Sequence, residues 1–161
     1  MNPLEQFLVD VIAVEGPLRV DRYMSLCLGH PQHGYYITRD PLGETGDFIT
    51  APEVSQVFGE LIGVWAVGAW AAMGQPDAFS LVELGPGRGT LMADILRTAK
   101  AVPSFAQACE IHLIEASPKL REVQAATLSA YTPVWHDHVN QLPSDLPLYA
   151  IENEFFDALP I

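Results

Sequence analysis

The sequence is poor in cysteine and in basic residues. Its 161 residues include two cysteines, Cys27 and Cys109, which are far apart and form no Cys-x-x-Cys pair. Two cysteines are too few for a disulfide scaffold or a four-ligand zinc site, and they suit a reducing compartment. Eight Lys and Arg residues against twenty Asp and Glu give a formal net charge of −12. Because this charge repels phosphate backbones, we expect no nucleic acid partner, whereas a cationic ligand or a basic protein is easier to accommodate.

Long apolar runs and targeting signals are also missing. The longest uncharged apolar stretch, residues 61–73, is shorter than the roughly 20 residues that a membrane span needs. It is therefore predicted to be a buried helix, with Trp65 and Trp70 in the core. The first residues, Met1 to Glu5, have neither a basic segment nor an Arg- and Ser-rich transit pattern. We therefore expect a cytoplasmic protein without membrane insertion.

The first part of the chain has helical patterns, and 49% of the whole sequence is hydrophobic, enough for a core. Asn2 and Pro3 are typical of a helix start, and apolar residues at helical spacing continue to Gly16, where that helix ends. A second, short helix is predicted from Val20 to Leu28.

Residues 30–53 are rich in glycine, proline and aspartate and are predicted to form loop and short strands that contribute to a site. Thr50 and Glu53 have the spacing of a capping box. They predict the start of an apolar helix that runs to Met73.

At Ser80 the hydrophobic period changes. Four short apolar segments now alternate with helical and loop segments and are predicted to be strands: Leu81–Leu84, Glu110–Glu115, Pro133–His136 and Leu148–Ile151. This alternation indicates βαβ units and a parallel sheet. We therefore predict an α/β domain over residues 77–161, preceded by a helical and loop extension over residues 1–76 that forms part of the site. The chain stops just after a strand, with fewer strands than an open sheet usually has, so it looks truncated.

The segment LVELGPGRGTL, residues 81–91, places three glycines at alternate positions between a strand and a helix. Glycines let the backbone turn tightly and approach a ligand beside a helix N-terminus. The spacing departs from Gly-x-Gly-x-x-Gly, because Thr90 stands in the place of the third glycine and Gly89 comes one residue early. This disfavours NAD and FAD, and the lack of a following Gly-Lys-Ser/Thr excludes a P-loop.

Two acidic residues accompany this glycine loop. Glu83 lies two residues before the first glycine, and Glu115 ends the second predicted strand. In a doubly wound sheet, an acid at the end of the second strand can accept hydrogen bonds from both ribose hydroxyls. The two acids and the loop predict a nucleoside pocket without a pyrophosphate clamp. This arrangement resembles the class I S-adenosylmethionine (SAM) methyltransferases, and the alternative is a structural loop or another nucleotide fold.

Three segments narrow the resemblance: residues 30–63, residues 81–91, and ENEFFDALP at residues 152–160. In this order they are similar to the MidA family of SAM-dependent methyltransferases, which includes the mitochondrial complex I assembly methyltransferase. The resemblance implies a class I, Rossmann-like methyltransferase sheet with an N-terminal extension, in a much longer protein. It also implies SAM as cofactor and methylation of an arginine in a complex I subunit as the reaction. The alternatives are a SAM-binding assembly factor or chaperone, and a small-molecule methyltransferase.

The cofactor-binding residues follow from the loop and the resemblance together. The three glycines, Gly85, Gly87 and Gly89, are expected under the methionine and ribose portion of SAM. Glu115 is expected to hold the ribose. Glu83 is expected either to orient the loop or to face the cationic amino group of the ligand, with a locally paired strand-end charge as the alternative.

Two further segments are candidates for cofactor contacts. Asp137 follows the third strand, where methyltransferases often contact adenine, and the alternative is a solvated loop acid. Gly46 and Asp47 precede a helix N-terminus and are expected to close over the ligand, with Asp47 near the sulfonium. The alternative is an ordinary turn with a side-chain bond.

Asn153, Glu154 and Asp157 follow the fourth strand and are the predicted catalytic residues. Carboxylates match the planar guanidinium of arginine in a bidentate manner, so Glu154 and Asp157 are candidate clamps for the acceptor. The alternative is that they cap the next helix. The pairs His30/His33 and His136/His138 have metal-ligand spacings but no third ligand, so no metal site is predicted.

Overall fold

The computed structural model describes residues 1–38 and 46–161, so residues 39–45 of the predicted site loop lie outside the described residues. The described residues form two compact units: residues 1–38 with 154–161, and residues 46–153. The predicted domain boundary between residues 76 and 77 falls inside the second unit, and it stays a prediction.

The first unit is helical. Its elements are α1 (Pro3–Glu15), α2 (Val20–Gly29), α3 (Tyr35–Thr38) and a 3-10 turn (Phe156–Ala158). Asn2 caps α1: its side chain accepts from the N–H of Glu5 at 2.8 Å, and the Glu5 carboxylate accepts from the N–H of Asn2 at 3.2 Å. These reciprocal bonds satisfy two backbone donors at the helix start. Both helices predicted for this part of the chain are confirmed.

The second unit contains a parallel sheet with helices between the strands. Its helices are α4 (Ala51–Val54), α5 (Gln56–Ala72), α6 (Thr90–Ala99), α7 (Pro103–Ala108) and α8 (Pro118–Thr127), with a 3-10 turn at Val139–Gln141. Its strands are β1 (Phe79–Leu84), β2 (Cys109–Ile114), β3 (Val134–His136) and β4 (Leu148–Glu152). The strand order is β3-β2-β1-β4, and every pair is parallel. The predicted α/β fold and its four strands are confirmed, whereas the short α7 was not predicted.

The register aligns the ends of the four strands in one row. That row contains Glu152, Leu84, Ile114 and His136. The residues that leave the sheet at this edge are Asn153, Gly85, Glu115 and Asp137. The chain winds from β1 to β2 and β3 on one side, then returns to β4 on the other side of β1. Because ligands bind at such a switch point, outside the carboxyl ends of the strands, this edge is the place for a site.

One face of the sheet carries the main core, which includes Phe79, Leu81, Leu113 and Tyr149 from the strands. Helix α5 approaches α6 closely because it presents glycines: a Cβ at Gly59 would lie 2.5 Å from the Cβ of Asp94. Real side chains do not tolerate that distance, so this contact requires glycine. Among the described residues, no helix is both long enough and apolar enough to cross a membrane.

The two tryptophans of α5 have different environments. Trp70 is 3% exposed, and its indole N–H donates to the carbonyl of Pro76 at 3.0 Å, which confirms the core prediction. For Trp65 that prediction is wrong, since the residue is 59% exposed. After Glu60, helix α5 has no polar side chain that would mark its exposed face. The face that contains Ala66 and Trp70 is the buried one, and Trp65 lies outside it.

The predicted capping box at Thr50 and Glu53 is also wrong. Thr50 precedes the single turn of α4, but its side chain makes no capping bond. Ser55, with extended backbone at φ −152°, separates α4 from α5 and caps α5 by accepting from the N–H of Val57 at 3.3 Å. The predicted single helix is therefore two helices, because Ser55, near its start, is extended and caps the longer one.

Candidate functional site

The glycine loop joins β1 to α6 and bends sharply. Gly85, Gly87 and Gly89 have φ values of 61°, 55° and 81°, in the left-handed region that side-chain-bearing residues rarely adopt. The N–H of Gly85 donates to the carbonyl of Ile114 at 3.0 Å, and that of Gly89 to Pro86 at 2.7 Å. The backbone therefore runs close beside β2 before α6 begins. The ligand contacts of these glycines stay predictions.

Glu115 directly follows β2 at the same edge. Its N–H donates to the carbonyl of His136 at 3.0 Å, which fixes the backbone against β3. Its carboxylate accepts from the N–H of Ser117 at 2.7 Å and from the Gln124 side-chain amide at 3.1 Å. Burial nevertheless raises the pKa of Glu115 above its ordinary value, because desolvation outweighs these donors.

Gln124, on α8, brings Glu115 and the glycine loop together. Its side-chain Nε2 donates to the Gly87 carbonyl at 2.9 Å and to the Glu115 carboxylate at 3.1 Å, so the two acceptor oxygens are at most 6.0 Å apart. Its Oε1 accepts from the indole N–H of Trp135 at 2.8 Å. Sequence reasoning missed this residue. The signal was available, because Leu120, Gln124 and Leu128 follow the helical period of an inward face.

These residues fit a nucleoside. Three protein donors bond to the Glu115 carboxylate: the backbone N–H groups of Ser117 and Ala116 and the Gln124 amide. A carboxylate has about four acceptor positions, so at least one remains for a ribose hydroxyl. The glycine loop lies beside this carboxylate, as the shared Gln124 amide requires. Glycines there leave backbone without side chains for the rest of a ligand.

Glu83 lies inside β1 and is 3% exposed. Its carboxyl group accepts a hydrogen bond from the backbone N–H of Met92, in the first turn of α6. Within the described residues its Oε2 is buried without a hydrogen-bond partner. Burial raises the pKa of Glu83 to about 8, so the acid is largely neutral at pH 7. The bond to α6 fits the predicted loop-orienting role, which stays a prediction.

Arg121 holds Asp137 beside Glu115. Its guanidinium donates from Nε to the Glu115 carbonyl at 2.7 Å and from a terminal nitrogen to Asp137 at 2.7 Å. The backbone N–H of Asp137 donates to the Gln141 side chain at 2.7 Å. Asp137 therefore lies at the predicted edge, exposed and ion-paired. Its contact with adenine stays a prediction.

The segment before α5 also reaches the glycine loop. The hydroxyl of Thr90, the first residue of α6, donates to Glu53 at 2.6 Å. Sequence reasoning gave Glu53 a capping role instead and did not predict this bond. Gly46 is half-buried and Asp47 exposed, and both precede this segment in the second unit. Their predicted closure over the ligand stays a prediction.

The predicted catalytic residues follow β4. Asn153 is half-buried and belongs to the second unit, whereas Glu154 and Asp157 are exposed and belong to the first. Glu154 has φ 55°, which is uncommon for a residue with a side chain. Asp157 lies in the 3-10 turn Phe156–Ala158, which has no side-chain cap. Their roles at the acceptor stay predictions.

One histidine ring of each pair, that of His30 and that of His136, makes a hydrogen bond within the protein. The Nδ1 of His30 accepts from the backbone N–H groups of Gln32 and His33, each at 3.2 Å. The Nε2 of His136 lies 3.0 Å from the Nδ1 of His112. Over residues 1–38 and 46–161, no three His, Cys, Asp or Glu side chains are grouped to hold a metal ion.

Residues 61–161 match the family described as "Putative S-adenosyl-L-methionine-dependent methyltransferase". The whole chain is 43% identical to "Protein arginine methyltransferase NDUFAF7, mitochondrial" of Rattus norvegicus over 185 residues, and it covers 42% of that protein. The Homo sapiens protein of the same name is also 43% identical, with the same coverage. The chain thus spans about two fifths of the length of these curated relatives.

The fold has a counterpart among solved structures. A COG1565 superfamily member from Burkholderia thailandensis, crystallised with S-adenosyl-homocysteine, superposes with a TM-score of 0.81 at 27% identity. The match covers 98% of this chain and 41% of that chain. The family match extends over more than half of the chain and includes the glycine loop, Glu115 and the residues after β4. The chain therefore belongs to the MidA family of S-adenosyl-L-methionine-dependent methyltransferases.

Proposed function

We propose that the chain forms the SAM-binding part of a methyltransferase. The observation that carries this proposal is the Gln124 amide, which donates to both the Gly87 carbonyl and the Glu115 carboxylate. Glu115, the proposed ribose acceptor, and the glycine turn are thereby held side by side at the carboxyl edge of the sheet. The related structure with S-adenosyl-homocysteine supports the same ligand class.

SAM supplies a methyl group on an already activated sulfonium. The chain's own residues bind and orient it: Glu115 accepts from the ribose hydroxyls, and Gly85, Gly87 and Gly89 lie under the methionine and ribose portion. Asp137 contacts adenine, while Gly46 and Asp47 close near the sulfonium and exclude water. Such positioning is most of what a transfer from an activated donor needs.

The acceptor in this proposal is an arginine of a protein. The curated relatives are named protein arginine methyltransferases, and the net charge of −12 favours a basic segment of a substrate protein. Glu154 and Asp157 hold the guanidinium, and Asn153 helps to orient it. Because the pKa of arginine is above about 12, a carboxylate that orients the nitrogen and accepts its proton assists the transfer.

The resemblance to the MidA family points to a subunit of respiratory complex I as the substrate protein. The names of the curated relatives place them in mitochondria. A cytoplasmic location for this chain stays a prediction from its sequence.

Mass spectrometry of arginine-containing partner proteins tests the proposal. The proteins are incubated with SAM labelled in its methyl group, with and without the protein that contains this chain. We expect one labelled methyl mass on an arginine in its presence alone. Label on a small molecule, or SAM binding without label on any arginine, would contradict arginine transfer and support one of the alternative functions.

A further inference from the structure

We propose that Gln124 is a positioning residue for the cofactor. Its side-chain amide sets the distance between the glycine loop and the carboxylate of Glu115. This inference rests on the proposed function, because Glu115 and the loop are the two parts of the SAM site. It adds a residue that is not among the predicted contacts of SAM or of the acceptor.

The hydrogen bonds define the orientation of the amide. Nε2 donates to a carbonyl, that of Gly87, and to a carboxylate, that of Glu115, while Oε1 accepts from the indole of Trp135. Both acceptors need an N–H, and the indole needs an oxygen, so the reversed amide would lose all three bonds. One side chain therefore joins the glycine loop, the end of β2 and β3.

The burial of Gln124 supports a specific role. The residue is 0% exposed, and it lies between the buried Leu120 and Leu128 on the inward face of α8. A leucine there would serve the core equally well as an apolar side chain, but it would leave the Trp135 indole and the Gly87 carbonyl without these partners. The choice of glutamine is thus explained by the bonds that it makes rather than by core packing.

Separate contacts fix the backbone of Glu115, which isolates the contribution of Gln124. Arg121 donates to the Glu115 carbonyl, and Ser117 donates its backbone N–H to one carboxylate oxygen. Gln124 donates to the other oxygen and, at the same time, to the loop. Without it, the carboxylate keeps its bond to Ser117 but loses its link to Gly87, so a ligand that must contact both is bound less tightly.

Calorimetry with S-adenosylhomocysteine measures this effect. Gln124→Met removes all three bonds, whereas Gln124→Glu keeps the acceptor for Trp135 and places a second carboxyl group against Glu115, where at most one shared proton replaces the two donors. We expect each variant to bind about tenfold more weakly, since a hydrogen bond to a charged group contributes on this scale. Gln107→Met, the matched change at an exposed glutamine of α7, should leave the affinity unchanged.

A double-mutant comparison separates positioning from a general structural role. Gln124→Met is also introduced into a Glu115→Ala variant, and the weak binding of the ligand is followed by NMR titration. In this background Gln124→Met should change the affinity less than about twofold, because the carboxylate that Gln124 positions is gone. The inference is overturned if Gln124→Met weakens binding equally with and without Glu115, or if folded Gln124 variants bind the ligand as tightly as the unmodified protein. In both cases the proposed binding of SAM still holds. If the unmodified protein does not bind the ligand, the proposed function itself fails, and this inference with it. Circular dichroism verifies the fold of each variant, and the isosteric Gln124→Glu carries the test if Gln124→Met does not fold.

Discussion

The segments that follow β2 and β4 differ in how the chain holds them. After β2, the backbone and carboxylate of Glu115 bond to Ser117, Arg121 and Gln124, all within the second unit. After β4, Glu154 and Asp157 are exposed, and the adjacent regular element is a three-residue 3-10 turn in the first unit. Glu115 is thus fixed by polar bonds to α8 and to its N-cap residue, Ser117.

This difference matches the two proposed tasks. A cofactor is the same in every cycle, so a preorganised and partly buried site suits it. A protein substrate approaches from solvent, so acids that contact it must be accessible. The comparison therefore predicts that changes after β2 act on cofactor affinity, whereas changes after β4 act on transfer.

The largest expected effect tests the segment after β4. Glu154→Gln and Asp157→Asn should each reduce the rate of methyl transfer about 100-fold, because the acceptor nitrogen loses an orienting and proton-accepting carboxylate. Binding of S-adenosylhomocysteine should stay unchanged. Asp145→Asn, which removes the same charge at another exposed position, serves as the control in a labelled-methyl transfer assay. If these variants also lost cofactor binding, the segment after β4 would not act on transfer alone, and the comparison with the segment after β2 would fail.

Glu115→Ala tests the segment after β2. It should weaken the binding of S-adenosylhomocysteine about 100-fold, because charge-assisted hydrogen bonds to both ribose hydroxyls are lost. Calorimetry measures this change, and 2′-deoxy or 3′-deoxy analogues of the ligand should be less sensitive to the substitution. An unchanged affinity in a folded variant would disprove the ribose contact.

Glu83→Gln tests the buried carboxyl group of β1 by the pH dependence of stability. The pKa of Glu83 is raised from 4.5 to about 8. Between these pH values, the folded protein therefore holds a proton on Glu83, whereas the unfolded chain has already released it. The free energy of unfolding of the unmodified protein should therefore fall as pH rises through this range. The glutamine variant lacks this contribution, and its relative stability should increase from pH 5 to pH 8, on the order of a few kcal/mol.

Urea denaturation at both pH values measures the change. An equal stability difference at pH 5 and pH 8 would show that Glu83 ionises normally.

The smallest effect concerns α5, which packs behind the glycine loop on α6. Ser55→Ala should lower the free energy of unfolding by about 1 kcal/mol, because the side-chain cap of α5 is lost. Thr50→Ala is the matched control, since the Thr50 side chain makes no cap bond, and its effect should stay below about 0.5 kcal/mol. A larger loss of stability from Thr50→Ala than from Ser55→Ala would contradict the cap bond of Ser55.

Much of the fold could be predicted from local patterns. The strands β1 to β4 are short apolar segments between turn residues, and the glycines at 85, 87 and 89 stand where the backbone needs positive φ. Long-range bonds were not predictable in the same way. The capping-box spacing of Thr50 and Glu53 is a local pattern, but Glu53 bonds to Thr90, 37 residues later, and Ser55 provides the cap.

Local sequence by itself determined the strands, the glycine turn and the acid at the end of β2, because each depends on backbone preferences and hydrophobic period within a few residues. The tertiary structure alone decided which polar side chains meet there. Gln124 bonds to Gly87, 37 residues earlier, to Glu115, 9 residues earlier, and to Trp135, so a single buried amide satisfies three partners from separate segments. Such a choice depends on desolvation and geometry between distant segments, which no local pattern contains.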